Sequence, residues 1–168
     1  DTPQFIETSI QLATAYQAVG NYASATATLQ QARSVAEKQG IPAQQVLVNS
    51  YLADVWLATQ QAETARTLLE ENLTVARRLK DPFLLAHVLN NLGNVLNIQR
   101  EYAKALTSYT EVTQLAQQSG NPQLQIQSLV NQADIQLKLD DPQASLATLE
   151  RVLTKVRELA NSYDKGLH

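Results

Sequence analysis

Apolar and polar positions along this chain follow the period of an α-helix. Val88, Leu89, Leu92, Val95 and Leu96 recur at i, i+3/i+4 and i+7, a spacing that gathers them on one helical face. Breakers interrupt the pattern at regular intervals. Pro42, Pro82 and Pro122 are 40 residues apart, and each follows a turn: Gly40-Ile41-Pro42, Lys80-Asp81-Pro82 and Gly120-Asn121-Pro122. Proline suits the first turn of a helix, where its missing N–H would be unpaired anyway, and glycine suits the end of the helix before it. A second break falls mid-interval, at Gly20-Asn21, Thr59-Gln60-Gln61, Arg100-Glu101 and Asp140-Asp141-Pro142. The pattern predicts helices over 4–19, 22–39, 43–59, 62–79, 83–99, 102–119, 123–139 and 142–160.

The same 40-residue period aligns whole columns. Two are small throughout: Ala13, Ala53, Gly93 and Ala133, then Ala25, Ala65, Ala105 and Ser145. Leu29, Leu69, Tyr109 and Leu149 form a third column, of large residues; Ala36, Ala76, Ala116 and Val156 form a fourth, and Ile6, Val46, Ala86 and Ile126 a fifth. A fixed period of this length means a solenoid in which each unit buries its apolar face against the next. The small columns let the two helices of a unit approach closely. The reading is one array over 1–168, with repeats at about 4–40, 41–80, 81–120 and 121–160. Residues 161–168 form a tail or the start of a further repeat, with Ser162 in the proline column. Val152, Val156 and Leu159 then face an absent neighbour. A solenoid end needs a polar cap, so end-to-end or side-to-side self-association is expected.

Composition supports helices and narrows function. Alanine, leucine and glutamine dominate, while glycine and proline number five each; strong helix formers with few breakers leave little room for sheet. The net charge of −3, with no clustered basic surface, argues against nucleic acid. No run of like charges suits an anionic membrane surface, and no apolar run reaches the ~18 residues that span a bilayer. Zero cysteines exclude disulfides, thiolate metal sites and a thiol nucleophile. With no methionine and an Asp1-Thr2-Pro3 start, the chain is expected to be a piece of a larger protein. The compartment is not legible, with the cytoplasm as the expectation. There is no glycine-rich phosphate loop, Gly-x-Ser-x-Gly elbow or His-Glu-x-x-His. Acidic pairs such as Glu70-Glu71 and Asp140-Asp141 read as solvated or capping residues. Neither an enzyme nor a cofactor is expected.

Several copies of one signature now stand out. Leu92-Gly93, Leu96, Tyr102, Ala105 and Tyr109 resemble the tetratricopeptide motif. Leu12-Ala13, Tyr16, Gly20-Asn21-Tyr22, Ala25 and Leu29 repeat it, as do Leu52-Ala53, Trp56, Ala65 and Leu69. Gln132-Ala133, Gln136, Ser145 and Leu149 form a weaker fourth copy. The unit departs from the common length of about 34 residues. At 40 it is similar to the long repeats of kinesin light chains, spindle-orienting adaptors and bacterial signalling proteins with a caspase-like domain. HEAT and armadillo arrays share the length, but the Leu-Gly and Ala-x-x-x-Tyr columns favour tetratricopeptide. The resemblance implies an all-α, right-handed superhelical solenoid of four helix–turn–helix repeats.

The resemblance also implies where a ligand would sit, because the first helices of such repeats line a concave wall. The stripe on helix 83–99 is then His87, Asn90, Asn91, Asn94 and Asn97, and on helix 123–139 it is Gln127, Val130, Asn131, Asp134 and Leu137. On helix 43–59 it is Leu47, Ser50, Tyr51, Asp54 and Leu57, and on helix 4–19 it includes Glu7, Ile10 and Gln11. Asparagine is a poor choice inside a helix, and a carboxamide can donate to and accept from a peptide backbone at once. The expected ligand-binding residues are Tyr51, Asp54, His87, Asn90, Asn91, Asn94, Gln127, Asn131 and Asp134, with Asn91 and Asn131 in the column that grips ligand backbone in the adaptors. Solvation, or hydrogen bonds between neighbouring helices, is the alternative role. Trp56 reads as core, in the column of Tyr16 and Leu96. His87 has no partner at metal spacing. The wall offers Glu7, Asp54 and Asp134 with Lys138 nearby, so a neutral to mildly basic protein or peptide is expected. A spacer or self-assembly module, or a sensor attached to an effector, are the competing functions.

Overall fold

The computed structural model describes residues 2–165, with side chains through Asn161. Eight helices follow one another: α1 (Thr2–Ala18), α2 (Tyr22–Lys38), α3 (Pro42–Ala58), α4 (Ala62–Leu79), α5 (Pro82–Ile98), α6 (Tyr102–Gln118), α7 (Pro122–Lys138) and α8 (Pro142–Lys165). They pair into four helix–turn–helix repeats. The final helix runs through Asn161 to Lys165, past the end at 160 that the pattern predicts, because no proline occupies that column and Asn161-Ser162-Tyr163 offers no breaker. Gly166, Leu167 and His168 lie outside the described residues.

Six of the seven turns close the same way. One residue adopts a left-handed backbone, and the next N–H reaches back to the carbonyl five residues earlier. Asn21 N donates to Tyr16 O at 2.8 Å, Gln61 N to Trp56 O at 2.8 Å and Glu101 N to Leu96 O at 2.8 Å, the Schellman geometry that satisfies carbonyls orphaned at a helix end. The turn at Lys80-Asp81, after a helix one residue longer, keeps the left-handed residue without the bond that follows it elsewhere. The following helix is capped by a side chain where the sequence allows. Asn21 accepts from Ser24 N, Asp81 from Phe83 N and Leu84 N, and Asn121 from Leu124 N; these caps bind N–H groups the helix cannot pair itself.

The core is a row of clusters between successive repeats. One gathers Ala53, Leu69, Val88, Leu92, Val95 and Tyr109, and another Ile6, Ala13, Ala25, Leu29 and Leu52. Size is matched across columns. A Cβ on Gly93 would lie 2.6 Å from Cε1 of Tyr109, so the small column here makes room for the large one rather than for Ala105. The repeats that carry alanine at this position carry leucine opposite it.

Packing is unequal on the two sides of the array. In the first three repeats the first helices touch one another, α1 on α3 and α3 on α5, whereas no comparable packing joins α2 to α4 or α4 to α6; α5 and α7 are joined by the bonds of Asn131 Nδ2 to Asn90 Oδ1 and Lys138 Nζ to Asn97 Oδ1. The second helices are bridged instead by long side chains such as Arg77 to Glu111, at 3.0 Å. The solenoid therefore curves with its first helices inside, and these form a concave wall. No described helix is long and apolar enough to cross a membrane.

Candidate functional site

The four first helices carry the inner wall with an unusual charge pattern. Of the 13 lysines and arginines, none lies on α1, α3 or α5, and only Lys138 lies on α7. The acids on the same helices are Glu7, Asp54 and Asp134. Lys138 is already committed, donating to Asp134 Oδ2 at 2.6 Å and to Asn97 Oδ1 at 3.0 Å. The basic residues sit on the second helices and turns.

A ladder of carboxamides crosses the wall. Gln127 Nε2 donates to Asn131 Oδ1 at 3.2 Å, Asn131 Nδ2 to Asn90 Oδ1 at 3.4 Å, and Asn90 Nδ2 to Asn91 Oδ1 at 3.4 Å. Asn91 Nδ2 then donates to the Ser50 carbonyl of α3 at 2.9 Å. Asn91 is only 3% exposed, so the donor that a ligand backbone would need is spent inside the wall. Asn94 also faces inward chemically, accepting from the Tyr109 hydroxyl at 2.7 Å. Gln127 and Asp134 are exposed, and Tyr51, Asp54, His87, Asn90 and Asn131 are half-buried.

Tyr51, Phe83 and His87 form an aromatic group at the N-terminal end of the wall. The Tyr51 and His87 rings are 5.2 Å apart, and Phe83 and His87 are 6.1 Å apart, both pairs tilted. His87 Nδ1 is buried without a hydrogen-bond partner. Burial lowers the His87 pKa below the usual imidazole value and keeps the ring neutral near pH 7. Burial also pushes the Asp54 carboxyl up to about 6, against the opposing pull of the Asn91 side chain. The Tyr51 hydroxyl is raised by burial and by the Asp54 charge.

Beside this group lies a cleft of about 420 Å³. It is lined by Pro3, Ile6, Glu7, Ile10 and Gln11 of α1, by Gln44, Leu47 and Tyr51 of α3, and by Phe83 of α5. Two further grooves open on the convex side. One of about 430 Å³ is lined by Arg33, Trp56, Thr64, Leu68 and Glu71, and one of about 380 Å³ by Leu73, Leu96, Lys104, Ser108 and Glu111. The residues named in these two linings correspond at a spacing of 40. They are a general consequence of stacking this repeat, whereas the concave cleft belongs to one place in the chain. Trp56 packs against both neighbouring clusters while its outer edge floors the first convex groove. Among the described residues, no group of three or more His, Asp and Glu side chains is arranged to hold a metal ion.

Three residues in and behind this wall escape sequence reasoning. Phe83 and Gln44 fall outside the helical stripes read from the family. Asn72 sits on α4, in a column otherwise filled by Ala32, Val112 and Val152, and donates to the Val46 carbonyl at 2.8 Å. A lone amide in an apolar column was the available signal.

A solenoid of four two-helix repeats with an amide-rich concave wall defines an interaction scaffold. The tetratricopeptide repeat family matches over residues 7–37, 44–118 and 84–158, and the chain belongs to that family. No curated protein matches it. Among solved structures it is similar to BtubC (BKLC) from P. vanneervenii, at 19% identity and a TM-score of 0.80 over 95% of this chain. It is also similar to a kinesin light chain of nearly identical repeats from Podosopora anserina, at 17% identity and 0.78 over 92%. A Rap protein complexed with competence and sporulation factor matches at 17% identity and 0.84 over 94%. The chain spans 66%, 76% and 45% of these three proteins respectively. Likeness at such identities is a likeness of fold.

Proposed function

We propose that this chain is a protein-interaction module whose concave wall takes up a peptide or partner segment of neutral to mildly basic character. The observation that carries the reading is the segregation of charge. The inner wall holds acids and amides with a single, already paired lysine, so an anionic ligand meets nothing to pair with and a cationic one does. The similar fold of a Rap protein complexed with competence and sporulation factor is consistent with that use. In this reading Tyr51, Asp54, His87, Gln127, Asn131 and Asp134 face the ligand. Asn91, Asn94 and Asn90 hold the wall's helices in register.

The test is a pull-down with three forms of the chain: native, Gln127→Ala/Asn131→Ala on the concave wall, and Arg77→Ala/Lys104→Ala on the convex side. Circular dichroism establishes that all three fold. A partner kept by the native and convex forms and lost by the concave one supports the reading. Loss on the convex form, or equal capture by all three, overturns it.

A second reading rests on α8. Leu149 is 40% exposed, while its equivalents Leu29, Leu69 and Tyr109 are at most 1% exposed, and Leu146, Leu153 and Val156 extend the apolar stripe. That face fits a further helix pair or a second copy, the geometry of a spacer or self-assembly module. Sedimentation velocity across a hundredfold concentration range tests it: a rising mass abolished by Leu149→Lys/Leu153→Lys supports self-assembly, and a constant monomer removes it.

A further inference from the structure

We infer that the cleft between α1, α3 and the first turn of α5 is an anchor pocket for a bulky apolar side chain flanked by lysine or arginine in an extended partner segment. The inference rests on the concave wall being the binding face and names the chemistry that face selects.

The pocket is specific to this part of the chain. Its floor is Ile6 and Ile10, both buried, with Leu47 and Tyr51 half-buried on one side. Phe83 also lines it and is 50% exposed, an aromatic ring placed at an opening rather than in the core. One repeat further on, the equivalents of Leu47 and Gln11 are His87 and Tyr51. Their rings lie 5.2 Å apart and occupy the corresponding space. The cleft thus arises from the residues of α1 and not from the repeat itself, unlike the convex grooves. Its volume of about 420 Å³ lies within the ~300–1,000 Å³ of typical ligand clefts, room for one large side chain and part of its neighbour.

The rim decides what flanks that side chain. Glu7 is exposed at the cleft, and no ion pair among the described residues includes it. Asp54 is the next carboxylate along the wall, one turn beyond Tyr51 on α3. With no lysine or arginine on α1, α3 or α5, a cation beside the anchor gains the Glu7 carboxylate and the faces of Tyr51 and Phe83, while Asp54 adds negative potential further along the wall. Gln44 also lines the cleft, and its buried Oε1 has no hydrogen-bond partner, an acceptor that a side-chain rotation turns toward a ligand N–H. Aromatic anchors in a desolvated pocket ringed by polar groups are where binding energy concentrates.

Phage-displayed random heptapeptides panned on the full chain test this directly. The expected enrichment is a large apolar residue adjacent to lysine or arginine. A synthetic peptide of that consensus should bind about tenfold more weakly to Phe83→Ala and to Glu7→Lys, two substitutions at exposed positions. A second peptide with its basic residue replaced by glutamate should prefer Glu7→Lys to the native chain. Enrichment of acidic or wholly polar sequences, or an unchanged preference on Glu7→Lys, overturns the anchor pocket. If those peptides are still lost on Gln127→Ala/Asn131→Ala, the concave reading survives without the anchor. No enrichment, or binding indifferent to every concave substitution, overturns both.

Discussion

Asn91 shows how far a single residue can be read. Its position on the inner stripe is legible from helical spacing, and its amide was a reasonable candidate for gripping a ligand. Its burial is not legible, because that depends on how closely α5 approaches α3. With Nδ2 on the Ser50 carbonyl, Asn91→Ala should destabilise the chain by about 1–2 kcal/mol, measured by urea denaturation. Gln127→Ala, at an exposed position, should stay within about 0.5 kcal/mol. Gly93 is the converse case. The signature column predicts a small residue, and the structure supplies the reason in the Tyr109 ring, fully buried and held by its hydroxyl bond to Asn94. Gly93→Ala should cost about 1–3 kcal/mol through overpacking, despite alanine's better helix propensity. Gly93→Ala/Tyr109→Leu, which recreates the pairing of the other repeats, should recover stability over the single variant. Asp54 brings in pH. Its folded carboxyl titrates at about 6, above the ~3.9 of an unfolded aspartate, so the folded state holds the proton more tightly. Its contribution to stability is present below pH ~4 and is lost as pH rises through about 6. Asp54→Asn should therefore match the native chain near pH 4 and exceed it by roughly 1–2 kcal/mol at pH 8 in urea midpoints. His87, with its lowered pKa, acts in the opposite sense in both proteins and cancels in the comparison.

Helices and turns were the most legible level. Periodicity placed each helix within two residues of its observed bounds except at the end of α8, where no breaker marks the stop. The turns are less obvious in composition than in geometry. Gly20 carries φ of 75°, and the same turn in later repeats uses Gln60, Arg100 and Asp140, at 63°, 62° and 60°. Those non-glycine residues accept a left-handed backbone because the Schellman bonds on either side hold it. Arg100, exposed at its turn, should give up strain on replacement. Arg100→Gly is expected to raise stability by about 0.5–1 kcal/mol in thermal unfolding. Gly20→Ala should lower it by a similar amount from backbone strain alone, since a Cβ there meets nothing within 4 Å.

At the scale of the molecule, curvature turns a repeated sequence into a surface with two unlike sides. The inner side gathers acids and amides, and the outer side carries the basic residues and the grooves that recur every 40 residues. The fold was legible because its columns repeat. The anchor cleft was not, because it arises where the repeat is broken: Ile10, Gln11 and Phe83 have no counterparts of the same kind in the next unit. The most direct measurement is backbone amide chemical-shift mapping of the labelled chain titrated with the apolar–basic peptide selected by panning. The account predicts shifts concentrated on α1, α3 and α5, centred on Glu7, Tyr51, Phe83 and His87 and extending toward Asn131. Shifts concentrated on α2, α4 and α6, along the convex grooves, would contradict it.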